Sequence, residues 1–321
     1  MMNSPVRNQP GKKSENKGNK NGRKRLTEKR KRMKRLSKIR TALLEAVFPS
    51  DLYCIRCGRI IDRSRYYGLC DKCSEGINWV GTDVCDRCGR LLARRGRPGE
   101  DFGDTWHEAD DDERLCAECR ENERYFDKGY TCAFYGVYAR EIVAAMKTKN
   151  RPWIGRKLGE AMADRMAYED EPIDLIIPVP VHLHREKKRG YNQAEVIARQ
   201  FVETYNRKHS KSEDAREQGS DRKASGKAVF LDALARTRET APMKGLNVWE
   251  RKANIEGAFG LKPGFAIIIE GRSAVLVDDI MTTGNTLSEC ARVLKEAGAA
   301  RVIAVTFAAG GDMNANDEGS W

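Results

Sequence analysis

The stretch Val275-Leu276-Val277-Asp278-Asp279-Ile280-Met281-Thr282-Thr283-Gly284-Asn285-Thr286 constrains this chain more than any other. It reads as a buried apolar strand, then two adjacent carboxylates, then a turn of small hydroxyl and glycine residues. A helix follows over 287–297 and is closed by Gly298. A helix start and the turn before it offer backbone N–H groups without intrahelical acceptors, together with the positive end of the helix dipole. That combination suits a phosphate. Gly284 permits a backbone that a side chain would hinder, and Thr282, Thr283 and Thr286 add hydroxyl donors. Asp278 and Asp279 stand at the carboxyl end of the strand, where open α/β sheets bind ligands and where sugar hydroxyls can be accepted. No Gly-Lys-Ser/Thr follows the glycine, so the turn is not a Walker A loop. The plain alternative is an ordinary strand–loop–helix with a solvated acidic turn.

From about Tyr130 the pattern alternates between helical and strand periods, which predicts an α/β domain over 130–310. Helices are expected over 140–149, over 154–168 with Pro152 near the start, and over 192–205. Strands are expected over 173–180, ended by prolines, over 273–278 and over 302–308. Units of this size imply one parallel sheet with right-handed crossovers and helices on both faces. Residues 206–227 are polar and lack periodicity, so they read as an exposed insertion. The loop after the first strand runs His182-Leu183-His184-Arg185-Glu186-Lys187-Lys188-Arg189-Gly190-Tyr191-Asn192-Gln193. Clustered cations, a glycine and a helix start suit a second anion, with Arg189 able to grip phosphate oxygens in bidentate fashion. A solvated basic turn is the alternative there.

Ahead of this domain stand eight of the ten cysteines, in four C-x-x-C pairs: Cys54/Cys57, Cys70/Cys73, Cys85/Cys88 and Cys116/Cys119. Two intervening residues let both sulfurs of a turn reach one tetrahedral ion at about 2.3 Å. Gly58 and Gly89 follow two of the pairs, as a tight knuckle requires. The pairs group as two zinc ribbons over 50–125, each with four cysteine ligands, although a crossed pairing of the knuckles stays open on spacing alone. Nothing marks the chain as secreted, which disfavours disulfides. Four successive pairs are a ligand count rather than a redox site. Iron–sulfur clusters also take four thiolates, and zinc is preferred. A closed four-thiolate site has no open position, so its work is to fold a segment poor in apolar residues. His107, in the long second spacer, reads as a surface residue rather than a ligand. Cys132 and Cys290 stand alone, and Cys290 reads as a small buried side chain.

The net charge of +12 is concentrated at one end: residues 1–40 carry 16 Lys and Arg against Glu15 and Glu28. Residues 1–35 are expected to be a disordered basic tail, able to contact nucleic acid through phosphates or to act only as a solubilising extension. Leu36, Ile39, Leu43, Leu44 and Val47 recur at helical spacing, giving an amphipathic helix over 36–49 whose expected use is packing onto the body, with a membrane-surface helix as the alternative. Residues 311–321 read as a flexible end. No run of about 18 apolar residues is present, so no membrane span is expected. No apolar signal core follows the N-terminal charges, and a cytoplasmic location is expected.

The segment 275–286 closely resembles the phosphoribosyl pyrophosphate (PRPP) motif of type I phosphoribosyltransferases. The resemblance implies that Asp278 and Asp279 hold the ribose hydroxyls and that Thr282, Thr283, Gly284, Asn285 and Thr286 cradle the 5′-phosphate. Arg189-Gly190-Tyr191 fits the turn that binds pyrophosphate in that family, with Arg189 counted beside the two acids as catalytic. Zinc ribbons, Pro178-Val179-Pro180 before Arg189-Gly190-Tyr191-Asn192-Gln193, then Arg251-Lys252-Ala253-Asn254-Ile255-Glu256-Gly257-Ala258-Phe259, then the PRPP motif are together similar to the ComF family. The match covers roughly residues 36–309. It implies a type I phosphoribosyltransferase-like sheet behind two structural zinc sites, PRPP bound with Mg²⁺, and a link to natural competence and single-stranded DNA uptake. The tail, the long second spacer and residues 206–227 depart from the family pattern. Met243 stands where many relatives carry glutamine.

Two readings compete with a phosphoribosyltransferase acting on a nitrogen acceptor. One is a non-catalytic factor that handles single-stranded DNA through tail and ribbons. The other is a sensor of PRPP. No aromatic stacking box marks an acceptor base, and few aromatics accompany the basic runs, which weakens a stacking mechanism for DNA.

Overall fold

A computed structural model describes residues 52–92, 114–148, 151–169, 171–214, 227–238 and 248–310. The expectations for the tail (1–35), the amphipathic helix (36–49), the C-terminal end (311–321), His107 and Met243 fall outside these residues.

The described elements in chain order begin with two short helices in the cysteine-rich segments, α1 (Asp71–Glu75) and α2 (Ala117–Glu121). Then come β1 (Lys128–Phe134), α3 (Val137–Thr148), α4 (Pro152–Met166), β2 (Leu175–Pro178), α5 (Leu183–Arg189), α6 (Gln193–Asp214), β3 (Val229–Phe230), β4 (Leu234–Arg236) and α7 (Val248–Ile255). β5 (Phe259–Leu261), α8 (Ala266–Ile269), β6 (Ser273–Met281), α9 (Asn285–Glu296) and β7 (Arg301–Ala309) complete them. The main sheet has five strands in the order β1-β7-β6-β2-β3, and every pairing is parallel. β4 and β5 form a separate antiparallel pair in which Arg236 lies opposite Phe259.

The strands explain why both faces need helices. β6 is apolar at successive positions, as expected of a strand covered on both sides. Its side chains alternate: Val275 and Val277 join Ile303, Val305, Met162, Ile197 and Phe201 in one core. Ala274 and Leu276 join Val302, Ala304, Leu287, Cys290 and Leu294 in the other. α4 and α6 cover the first face, and α9 covers the second. The free edge of β1 is capped by the first cysteine-rich segment, where Val80 donates to the Cys132 carbonyl at 2.9 Å and Phe134 to that of Asn78 at 2.8 Å. Cys132 and Cys290 are both buried, and burial pushes the Cys132 thiol up to about 12.

Three sequence expectations change. The helix expected over 192–205 continues to Asp214, so the first part of the 206–227 insertion is helical; residues 215–226 lie outside the described structure. Asn206 holds that continuation in place, donating to and accepting from the backbone of Ala228 at 2.9 Å each. The stretch 183–189, read as a loop, is the helix α5. His182 accepts from the His184 N–H at its start and Gly190 closes it at φ 83°, a left-handed geometry that suits glycine. Finally, β6 runs to Met281, three residues past the expected end at Asp278, which places Asp279 inside the strand together with Asp278.

Candidate functional site

The carboxyl ends of β2 and β6 carry both segments singled out by sequence. Beyond β6, residues 282–284 turn the chain into α9, with Gly284 at φ 79° as its N-cap. Asp278, Thr282, Thr283, Gly284, Asn285 and Thr286 line a cavity of about 50 Å³, together with Ile280, Met281 and Leu287. The first turn of α9 presents N–H groups with no intrahelical acceptor toward this space, and the helix dipole favours an anion there.

The two acids differ. Asp278 is half-buried, lines the cavity, and accepts the Asp279 N–H at 2.8 Å. Burial first, and the neighbouring charge of Asp279 second, raise its carboxyl to about 7, against the pull of Lys147. Asp279 is buried and pairs with Lys147 Nζ at 2.9 Å. Burial opposes the Lys147 ammonium, but Asp279 and then Asp278 outweigh it, so its pKa is raised. Adjacent residues of a strand project to opposite sides, which is why one acid faces the turn and the other faces α3.

Arg189 ends α5 and donates to Gln193 Oε1 at 2.9 Å. The phenol of Tyr191 donates to the Met146 carbonyl at 2.6 Å, tying the Arg189-Gly190-Tyr191 turn to the last turn of α3 beside Lys147. Burial raises the Tyr191 phenol. Both Arg189 and Asp278 act on Lys147 electrostatically, so the basic turn and the acidic strand end belong to one site. Arg236 on β4 joins it: burial lowers its guanidinium, with Arg185 adding to the effect and Asp278 opposing it.

The cysteines form two clusters, Cys54/Cys57/Cys70/Cys73 and Cys85/Cys88/Cys116/Cys119, each with its four sulfurs within 4.8 Å of one another. The structure therefore brings together sequential pairs rather than crossed ones. Both clusters are built alike. In one knuckle of each, Gly58 and Gly89 donate to the carbonyls of Cys54 and Cys85 at 2.9 and 2.8 Å, at φ 71° and 70°. In the other, Cys70 and Cys116 cap α1 and α2, and Cys73 and Cys119 donate back to their carbonyls at 2.9 Å. A tetrahedral ion with bonds of about 2.3 Å separates its sulfurs by about 3.8 Å. Cys57 and Cys70 stand 3.8 Å apart, and Cys88 and Cys116 3.7 Å. The donor set and spacing fit a single zinc ion in each. The thiolates of a multi-iron cluster would be held further apart by the cluster itself.

A double zinc ribbon domain matches residues 43–101, and a phosphoribosyl transferase domain matches residues 155–321. The chain belongs to the phosphoribosyl transferase family, in its ComF-like form. Among the relatives of this ComF-like chain is Competence protein F of Haemophilus influenzae, 26% identical over 239 residues, which are 72% of this chain and 86% of the relative. Another is DNA utilization protein YhgH of Escherichia coli O6:H1, 25% identical over 242 residues, 74% of this chain and 88% of the relative. The YhgH protein of Salmonella typhimurium is 23% identical over the same coverage. The ribbon match stops at residue 101, short of Cys116 and Cys119, yet the fold returns both to Cys85 and Cys88.

Besides Arg236, three residues of the ComF-like site escaped the sequence reading. Lys147 had a signal: it lies four residues after Val143 and so on the stripe made by Ala139, Ile142, Val143 and Met146, where an apolar residue is expected. Arg90 and Arg124 had none. Arg90 Nη2 donates to the Thr282 carbonyl at 2.6 Å, and Arg124 Nη1 to Asn285 Oδ1 at 3.1 Å. Both reach the turn from the second cysteine cluster, across long stretches of sequence. Among the described residues no helix is long and apolar enough to cross a membrane.

Proposed function

We propose that this protein binds PRPP with Mg²⁺ at the carboxyl ends of β2 and β6 and transfers its phosphoribosyl group to a nitrogen acceptor. The observation that carries this reading is the cavity under the start of α9, lined at once by Asp278 and by the 282–286 turn. The 5′-phosphate occupies the N–H-rich turn, where Thr282, Thr283 and Thr286 add hydroxyl donors. Asp278 and Asp279 hold the ribose hydroxyls and favour positive charge on the ring as the anomeric bond breaks. Arg189 and Lys147 face the pyrophosphate end. Fixed cations there stabilise the negative charge that develops on the leaving group. Mg²⁺, a hard ion held mainly by ligand and water oxygens, supplies further charge neutralisation when bound, and the Asp278 carboxylate is an oxygen donor suited to it. Zn²⁺ is the ion assigned to both cysteine clusters, in a structural role.

In the relatives' names, competence and DNA utilization recur. We assign this protein the same setting, with single-stranded DNA as a partner of its basic surface. Lys187 and Lys188 on α5 are exposed beside the site and favour a second reading, in which the turn recognises a nucleotide phosphate without turnover. A PRPP sensor would likewise bind and not react.

Incubation of the metal-loaded protein with PRPP, Mg²⁺ and a panel of nitrogen bases, followed by pyrophosphate release, tests the proposal. Release dependent on one base is the expected result. Binding without release leaves DNA handling or sensing, which salt-dependent single-strand binding then separates. Absence of PRPP binding overturns all versions that use the cavity.

A further inference from the structure

Arg90 and Arg124 are only 4% and 5% exposed. Burying two guanidinium groups costs several kcal/mol each unless opposite charge and hydrogen bonds compensate. The compensation is divided in the same way for both. Arg90 faces the charge of Cys88 and Cys116 on one side and donates to the Thr282 carbonyl on the other. Arg124 pairs with Glu118 of α2 at 3.2 Å and reaches Asn285 with its other terminal nitrogen. A tetrathiolate site around a divalent ion carries net negative charge, so the second cluster supplies the counter-charge that lets Arg90 remain buried. The two contacts bracket Gly284, one on the entry to the turn and one on its exit, and the Arg124 guanidinium lies against Gly284 itself. The Nε atom of neither guanidinium meets a hydrogen-bond partner among the described residues. The backbone is pinned as well: a Cβ on Gly89 would fall 2.3 Å from the Gly129 carbonyl, so knuckle and β1 are in direct contact.

The first cluster makes no comparable contact to the turn in the described structure. Its Arg56 pairs with Glu141 at 2.8 Å and stacks on Tyr138, both on α3.

We infer that Arg90 and Arg124 are positioning residues for the phosphate turn, and that the second cysteine cluster sets that turn's geometry through them. Their role in ligand binding rests on the reading of the turn as a 5′-phosphate site; their hold on the turn does not. The two cations fix where the N–H groups of residues 283–286 point before ligand arrives, and they place positive charge behind the anion. Preorganisation of this kind is expressed as affinity, because the ordering is complete before binding.

The test uses the full-length, zinc-loaded protein and the variants Arg90→Met, Arg124→Met, Arg90→Lys and Arg56→Met. Hydrogen exchange is followed for residues 281–287 without ligand, and affinities for ribose 5-phosphate and for pyrophosphate are measured by calorimetry with Mg²⁺. Arg90→Met and Arg124→Met are expected to speed exchange in 281–287 about tenfold or more while β6 keeps its protection and zinc content matches wild type. Arg90→Lys should recover part of the protection, and Arg56→Met should leave the turn unchanged. Ribose 5-phosphate affinity should fall about 10- to 100-fold, with pyrophosphate binding unaltered, since that ligand uses the Arg189 end. A merely structural defect would weaken both ligands together, and that outcome, or unchanged exchange in 281–287, overturns the inference. If wild-type protein binds no ribose 5-phosphate, the function proposal fails and the exchange measurement alone decides this one. Should Arg90→Met not fold, Arg124→Met carries the test, because Arg124 meets the Glu118 carboxylate and not a cysteine sulfur.

Discussion

The ammonium of Lys147 sits 2.9 Å from the carboxylate of Asp279, joining the last turn of α3 to the end of β6. Both groups are largely shielded from water, so each is the other's main compensation. Lys147→Met leaves a buried carboxylate unpaired and should destabilise the fold by about 2–4 kcal/mol at pH 7, as measured by urea unfolding. Adding Asp279→Asn should restore most of the loss. A double variant no more stable than the single one would show that the pair is not the source.

Asp278 gives the fold a pH dependence of definite sign. Its carboxyl holds a proton to about 7 in the folded chain and releases it near 3.8 when unfolded. The folded state therefore binds the extra proton between these values, and stability falls as pH rises from about 4 through 7. Asp278→Asn removes the titration, so urea-unfolding curves from pH 4.5 to 8 should show a flatter profile for the variant. The gain over wild type at pH 8 should be on the order of 2–4 kcal/mol. A variant with an unchanged slope would assign the titration elsewhere.

The two acids are also expected to differ in binding. Asp279→Asn should weaken PRPP affinity in calorimetry, and Asp278→Asn should lower pyrophosphate release by about 10²–10³ where turnover occurs, the cost of losing one preorganised charge. Unchanged affinity in Asp279→Asn counts against its assignment to the ribose.

Gly89 cannot accept a side chain. Its backbone stands at φ 70°, and a Cβ there would meet the Gly129 carbonyl at 2.3 Å, so Gly89→Ala combines a left-handed backbone with a steric overlap. A loss of about 3 kcal/mol is expected, seen as a lower denaturation midpoint. Gly58→Ala, with nothing within 4 Å of its Cβ, has only the backbone cost and should lose about 1–2 kcal/mol.

Metal removal should act in two steps. Elemental analysis is expected to find two zinc ions per chain, matching the two cysteine clusters. Cys57, exposed, should yield to chelators before the buried Cys85, Cys88 and Cys116. Simultaneous loss of both ions would show that the clusters unfold together.

Local pattern carried much of this architecture. The run 275–286 specified strand, turn and helix because each residue type there has one economical use, and the C-x-x-C pairs specified ligand sets because a tetrahedral ion demands that spacing. The α5 helix was harder to see, since its face is charged and only its caps, His182 and Gly190, betray it. The opposed directions of Asp278 and Asp279 follow from strand alternation once β6 is known to reach Met281. Arg90 and Arg124 left no trace at all: their partners Thr282 and Asn285 are 192 and 161 residues away, and no local period encodes such a contact.

That separation bears on how the polypeptide is made. The knuckle holding Arg90 is synthesised long before the segment it braces, and metal can close it while β6 and β7 are still untranslated. A growing chain would then carry a finished small module with two cations waiting for their oxygen acceptors. Arrival of residues 282–285 supplies those acceptors, so the nascent module serves as a template on which the last third of the protein settles.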